Sequence, residues 1–80
     1  MASLKLISRS YCHLCHEMEL ALVPLLEELG ADVEMIDVDQ NPLLEEKYGE
    51  YVPVLLHGDV ELCRFVLDVS KVRDYLRFLR

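Results

Sequence analysis

The sequence predicts an α/β domain of element order β-α-β-α-β-β-α, in which a four-stranded mixed sheet is flanked by helices. Three observations predict it. Short apolar runs at residues 3–8 and 31–39 alternate as strands do, and the stretch between them repeats at three- and four-residue steps as a helix does. Gly58-Asp59 stands between two further strand-like runs and reads as a hairpin turn. Asn41-Pro42 and the segment from Asp68 to Ser70 each carry a helix-start signature. The whole chain, residues 1–80, is read as one domain.

Ser3 to Ser8 is the first strand. The first helix is expected from Cys12 or His13 to Leu29, with Gly30 as its C-cap. Leu14, Met18, Ala21, Leu22, Leu25, Leu26 and Leu29 form one apolar stripe that faces the sheet. Pro24 lacks the N–H that would bond the Leu20 carbonyl, and inside a helix it costs about 3 kcal/mol. The stripe continues in phase beyond it, so a kink is expected and not a break. Ala31 to Asp39 gives the second strand. Asn41 then caps a short helix with Pro42 at its first position, where a missing N–H does no harm. Leu43, Leu44, Lys47 and Tyr48 carry that helix to Gly49. Val52 to His57 is strand-like after Pro53, since a proline can begin a strand but not sit centrally in one. Val60 to Leu67 is the matching strand. Ser70 or Asp68 caps the last helix, whose inward stripe is Val72, Tyr75, Leu76 and Leu79. The first β-α-β unit should be a right-handed parallel crossover, and the hairpin should add two antiparallel strands to the same sheet.

Fifteen acids against eight bases give a formal charge of −7. A nucleic-acid partner needs a basic stripe, and none is visible. No run of about 18 apolar residues exists to span a membrane. Met1 to Ile7 lacks the apolar core and cleavage site of an export signal, so a cytoplasmic location is the expectation. In that reducing compartment a close cysteine pair points to redox or metal chemistry and not to a structural disulfide framework.

Cys12 and Cys15 stand at C-x-x-C spacing where a strand ends and a helix begins. A helix start presents unpaired N–H groups and about half a positive charge, which favour a thiolate, the reactive form. Cys12 should be the more exposed and the attacking thiol. Cys15, one turn deeper, should be the resolving one. His13 beside Cys12 would lower its pKa further if protonated, and Arg9 could add positive potential. Tyr11 could border a substrate groove or pack against the first helix. Glu17 and Glu19 suit the first turns of a helix but oppose a thiolate. Cys63, alone in the last strand, reads as structural, and His57 as a turn residue.

The element order, the cysteine pair and the proline-headed third strand together resemble the thioredoxin-like fold. Asp37-Val38-Asp39-Gln40-Asn41-Pro42, then Glu46-Lys47-Tyr48-Gly49 and Val52-Pro53, is similar to the matching stretch of thioredoxins. The short length is closer to glutaredoxins, and the chain resembles short bacterial glutaredoxin-like proteins over nearly its whole length. The resemblance implies a thiol–disulfide oxidoreductase with Cys12 as nucleophile and Cys15 as resolving thiol. It implies a cis bond before Pro53, with Pro53 against the cysteine pair, and pairing of the Val52 backbone with an extended substrate. Tyr11 and His13 join Val52 and Pro53 as substrate-binding candidates. It implies no bound cofactor, with glutathione or a thioredoxin reductase as electron donor. The expected substrate is a disulfide-bearing protein or a small thiol, and the chain is expected to act as a monomer. Three departures stand out. His13 and Leu14 separate the cysteines, where the relatives carry Gly-Pro or Pro-Tyr. Leu6 occupies the position of the buried acid of thioredoxins. No glycine occurs from Arg64 to Ser70, where the relatives have glycines.

Other classes stay open beside this one. The departures suit a thioredoxin-fold binding or accessory module without efficient turnover. Cys12, His13, Cys15 and His16 are all possible ligands of a metal or cluster, although a second ligand pair for zinc is missing from the sequence. Cys12-x-x-Cys15-His16 also fits the c-type haem attachment pattern, against which stand the absent export signal and the predicted sheet.

Overall fold

The computed structural model describes residues 3–79. Strand β1 is Ser3–Ser8, helix α1 His13–Leu29, strand β2 Asp32–Asp37, helix α2 Pro42–Tyr48, strand β3 Val54–His57, strand β4 Val60–Arg64 and helix α3 Val69–Phe78. A 3-10 turn, Val38–Gln40, joins β2 to α2. The sheet runs in the order β2-β1-β3-β4. β1 pairs with β2 in parallel, from Ser3 with Asp32 to Ser8 with Asp37. β1 and β3, then β3 and β4, pair antiparallel. This is the mixed sheet that the sequence implies.

The central strands bury both faces. Leu4 and Leu6 of β1 and Leu55 of β3 turn to one side, against Met18, Leu22, Leu25 and Leu29 of α1 and Val72 and Leu76 of α3. Ile7, Val54 and Leu56 turn to the other side, against Val38 and Tyr48. Two-residue alternation thus splits one strand between two cores. In β4 the register shifts between the partners of Leu55 and Leu56, so Leu62 is the additional residue of a bulge. Its side chain joins the α1/α3 core.

Local signals behave as their chemistry dictates. Asn41 Oδ1 accepts the Leu44 N–H at 3.2 Å, and Asp68 Oδ1 accepts the Lys71 N–H at 3.0 Å, so each is the N-cap of its helix. Gly30 closes α1 in the left-handed region, φ 63°, and its N–H bonds the Leu26 carbonyl. Gly58 turns the hairpin at φ 61°. α1 runs through Pro24 unbroken. Leu20 and Pro24 both face solvent, so water can satisfy the carbonyl that the proline leaves unbonded. Glu28 of α1 ties the two long helices together, accepting from Arg73 at 2.8 and 3.0 Å and from Arg77 at 3.4 Å.

Four expectations need correction. The buried stripe of α1 is Cys15, Met18, Leu22, Leu25 and Leu29, while Leu14 and Ala21 are exposed. The stripe is rotated by one residue toward the cysteine, a phase that periodicity alone cannot separate from its neighbour. Leu79 after α3, expected in the inward stripe, is likewise exposed. β2 stops at Asp37, whose Oδ1 accepts the Asp39 N–H at 2.9 Å and opens the 3-10 turn. β4 stops at Arg64 and does not reach Leu67.

The reason for this early stop is Phe65, which holds φ 67°. A non-glycine residue in the left-handed region costs about 1–2 kcal/mol. Tertiary bonds hold it there. The Phe65 N–H donates to the Pro53 carbonyl at 2.9 Å, and its ring meets Tyr51 edge-on, centroids 6.4 Å apart. Arg64 stacks on the other aromatic partner, 4.4 Å above the Tyr51 ring, and binds Glu61 through both guanidinium arms. Phe65→Ala keeps the backbone penalty and loses the ring, whereas Phe65→Gly loses the ring and the penalty together. Urea unfolding should therefore find the glycine variant more stable than the alanine variant by about 1 kcal/mol. The opposite order would show that the position does not hold this backbone.

Candidate functional site

β1 delivers the chain to Ser8, and residues 9–11 turn it into α1. The Cys12 N–H donates to the Arg9 carbonyl at 3.1 Å. Cys12 keeps an extended backbone, φ −97° and ψ 109°, and is the N-cap of α1. Its Sγ accepts the Cys15 N–H at 3.0 Å, the bond that a serine or aspartate oxygen makes at an ordinary N-cap. Cys12 and Cys15 are joined as a disulfide with their Cα atoms 5.1 Å apart, within the normal range for such a bond. Cys15 is 3% exposed and Cys12 half-buried, the order of access that the sequence implies. No acid lies in the first turn of α1, so its N-terminal field meets no opposing side chain there.

Both cysteines open onto a cavity of about 220 Å³. Ser8, Arg9 and Ser10 form one wall, His16 and Glu19 of α1 another, and Met35 and Asp37 of β2 the third. The Arg9 guanidinium does not stand free beside the sulfurs. It bonds Asp39 Oδ1 at 3.0 Å and Glu45 Oε1 at 3.3 Å, one cation against two carboxylates. The added positive potential expected of it is therefore offset.

The remaining candidates do not line this cavity. Tyr11 is 98% exposed, so it does not pack against α1 and lines no part of the cavity. The His13 side chain is 86% exposed and sits 3.2 Å from Glu17 Oε1. Val52 is half-buried on the core around Ile7, Val38 and Tyr48. Pro53 is fully buried, and the Val52–Pro53 bond is cis. Leu6, at the position of the acid in thioredoxins, is 0% exposed in the α1/α3 core.

Sequence reasoning missed several features. Leu14, Met18 and Ala21 line a second, apolar groove of about 180 Å³ with Phe65, Val66 and Val69. His16 and Glu19 join the cysteine cavity, and the spacing 12, 15, 16, 19 was the available signal for it. His57 ends β3, and its Nδ1 lies 2.8 Å from the Tyr75 hydroxyl. Burial pushes the Cys63 thiol above its ordinary pKa, against a smaller opposite effect of a hydrogen bond from the Asp68 backbone. The neutral form is thus favoured at pH 7. In a Cys12→Ser/Cys15→Ser variant, iodoacetamide should label Cys63 more slowly than a free peptide thiol, and unfolding should remove the difference. Native labelling at the free-thiol rate would contradict this assignment.

Comparison with known proteins agrees with this geometry. The family profile Glutaredoxin-like domain (DUF836) matches residues 3–77. A search of curated proteins found no match. Among solved structures, a protein from Nitrosomonas europaea determined by NMR is 36% identical, with a TM-score of 0.82 over 92% of this chain and 89% of that one. NrdH-redoxin from Escherichia coli, a glutaredoxin-like protein, is 27% identical, with a TM-score of 0.59 over 98% of this chain and 95% of that one. Thioredoxin 1 from Thermosipho africanus shares the fold at 21% identity, with a TM-score of 0.65 over 96% of this chain and 97% of that one. The fold is thioredoxin-like, and its close cysteine pair supports a thiol redox function. By the match over residues 3–77, the chain belongs to the glutaredoxin-like domain family.

Proposed function

We propose that this protein is a thiol–disulfide oxidoreductase in which Cys12 attacks and Cys15 resolves. The Cys12 thiolate attacks one sulfur of a substrate disulfide, and the other sulfur leaves as a thiolate that takes a proton from water. Cys15, as its thiolate, then attacks Cys12 Sγ and displaces the second substrate sulfur. Two electrons pass to the substrate, and the Cys12–Cys15 disulfide remains. An external thiol, glutathione or a thioredoxin reductase, returns the two electrons. The observation that carries the reading is the Cys15 N–H bond to Cys12 Sγ at the helix start. A donor aimed at that sulfur strengthens as the sulfur gains charge.

The substrate is a disulfide-bearing protein or small thiol in the cytoplasm, bound beside Val52–Pro53 with Tyr11 and His13 at the rim. Among the described residues no helix is long and apolar enough to cross a membrane. The E. coli relative is described as having a thioredoxin-like activity profile, and a similar profile belongs to the proposal. Alkylation of Cys12 in the reduced protein, followed against pH, should give an apparent pKa clearly below the free-thiol value of about 8.5. An unshifted titration would overturn the reading.

A second reading is an accessory module that binds partners without efficient turnover. Buried Leu6 favours it, because this position, an acid in thioredoxins, here carries no group that can exchange a proton. Absence of disulfide reduction with either donor, together with partner capture by Cys12→Ser, would select it. A metal-carrier reading has no comparable support. Among the described residues no three or more His, Cys, Asp or Glu side chains are grouped to hold an ion.

A further inference from the structure

We infer that His16 is the positioning residue for charge at the cysteine pair: its imidazole shares the cavity with Cys12 and, in its cationic form, favours ionisation of that sulfur. The inference rests on the exchange chemistry above and assigns the electrostatic partner of its nucleophile.

Helix geometry separates the two histidines near the pair. Cys12, Cys15, His16 and Glu19 follow the i, i+3, i+4, i+7 pattern and line the cavity together. Leu14, Glu17, Met18 and Ala21 follow the same pattern two residues later, about 200° around the helix, and line the apolar groove. His13 Nε2 lies 3.2 Å from Glu17 Oε1, and His13 lines neither space. A helical side chain leans toward the N-terminus, over the preceding turn. His16 therefore leans toward Cys12, four residues before it, where Sγ is folded back onto the helix start.

Carboxylates face the same cavity from α1 and from β2. Glu19 shares its helix face, and among the described residues its side chain makes no hydrogen bond or ion pair. Asp37 faces the cavity from β2 with one oxygen on the Asp39 N–H. Arg9 is the opposing cation, and it is held by Asp39 and Glu45. Two carboxylates thus stand on the cavity against one neutralised guanidinium, and His16 is the remaining basic side chain on that lining. When Cys12 ionises, its proton leaves to solvent.

His16 is exposed, so the effect is modest and screened by salt. The test measures alkylation at Cys12 in the reduced protein by mass spectrometry, from pH 5 to 10, at low and high salt. His16→Gln should slow the reaction at pH 7 about two- to fivefold at low salt, and less at high salt. His16→Lys, which keeps a positive charge, should restore the rate. His57→Gln, at the end of β3 and outside this cavity, should leave the Cys12 titration where it is. A His16→Gln titration that coincides with the unsubstituted protein overturns the inference, and so does an equal shift from His57→Gln. In both cases a low Cys12 pKa in the unsubstituted protein leaves the exchange reading standing. An unshifted titration in the unsubstituted protein removes both.

Discussion

Cys12→Ser is expected to reduce turnover of a model disulfide to the uncatalysed background, whereas Cys15→Ser is expected to accumulate one equivalent of a mixed disulfide on Cys12. A serine hydroxyl has neither the acidity nor the nucleophilicity of the thiol that starts exchange. Unfolding cannot account for the loss, because serine is a favoured N-cap. Its oxygen can accept the Cys15 N–H that Cys12 Sγ accepts now. The disulfide that vanishes closes a loop of sequence separation 3, so little chain entropy goes with it. Circular dichroism of Cys12→Ser should therefore match the unsubstituted protein, while insulin or small-disulfide reduction stops. Cys15→Ser keeps the attacking thiol but lacks the sulfur that releases the substrate. Mass spectrometry after mixing with a disulfide substrate should find the adduct on Cys12 and none on Cys63. Turnover that survives in Cys12→Ser would end the oxidoreductase assignment. Full turnover in Cys15→Ser with glutathione present would replace the two-thiol route by one that uses Cys12 alone.

What could be read from the chain in advance was what short-range chemistry decides. Asn41 with Pro42, Gly30 after Leu29, and Gly58 in its hairpin each fix a boundary within a few residues of themselves. The cysteine site belongs to the same class. A strand, a tight turn and a helix start are all local, and they alone bring two sulfurs three residues apart into bonding range. Features that depend on distant partners were not legible. Arg9 is bound to Asp39 and Glu45, 30 and 36 residues away, and nothing near Arg9 in the sequence says so. Glu28 finds Arg73 and Arg77 only because α1 packs beside α3. Phe65 looks like one more strand residue. Its left-handed backbone is imposed by the Pro53 carbonyl and the Tyr51 ring, which lie earlier in the chain. The choice between Leu14 and Cys15 as the inward residue likewise turns on how α1 rotates against the sheet, which a periodic pattern leaves open by one residue.

Leu6→Asp is expected to unfold the protein at neutral pH, although it places an acid where thioredoxins have one. Leu6 is 0% exposed and packs among Leu4, Met18, Leu22, Leu55 and other apolar side chains, and among the described residues no polar or charged one is buried. Replacing it removes about 2–3 kcal/mol of apolar burial. The carboxylate left in its place has no donor, and burying an unpaired ion costs several kcal/mol more unless it protonates. For 80 residues at roughly 0.05–0.15 kcal/mol each, total stability is about 4–12 kcal/mol, so the two losses together consume most or all of it. The sign of the pH dependence follows. In the folded state the aspartate pKa is raised above its unfolded value of about 3.9, so the folded state binds more protons and stability falls as pH rises. Urea unfolding followed at pH 5 and pH 8 should show the variant weaker at pH 8, with the unsubstituted protein lacking that trend. Two consequences for function come from the same packing. The acid cannot be supplied beneath the pair in this chain without rebuilding the α1/α3 core around it. Proton exchange with Cys15 must then pass outward, through the cavity that His16, Glu19 and Asp37 share with the sulfurs. A Leu6→Asp protein that kept its stability at pH 8 and reduced disulfides faster would contradict both.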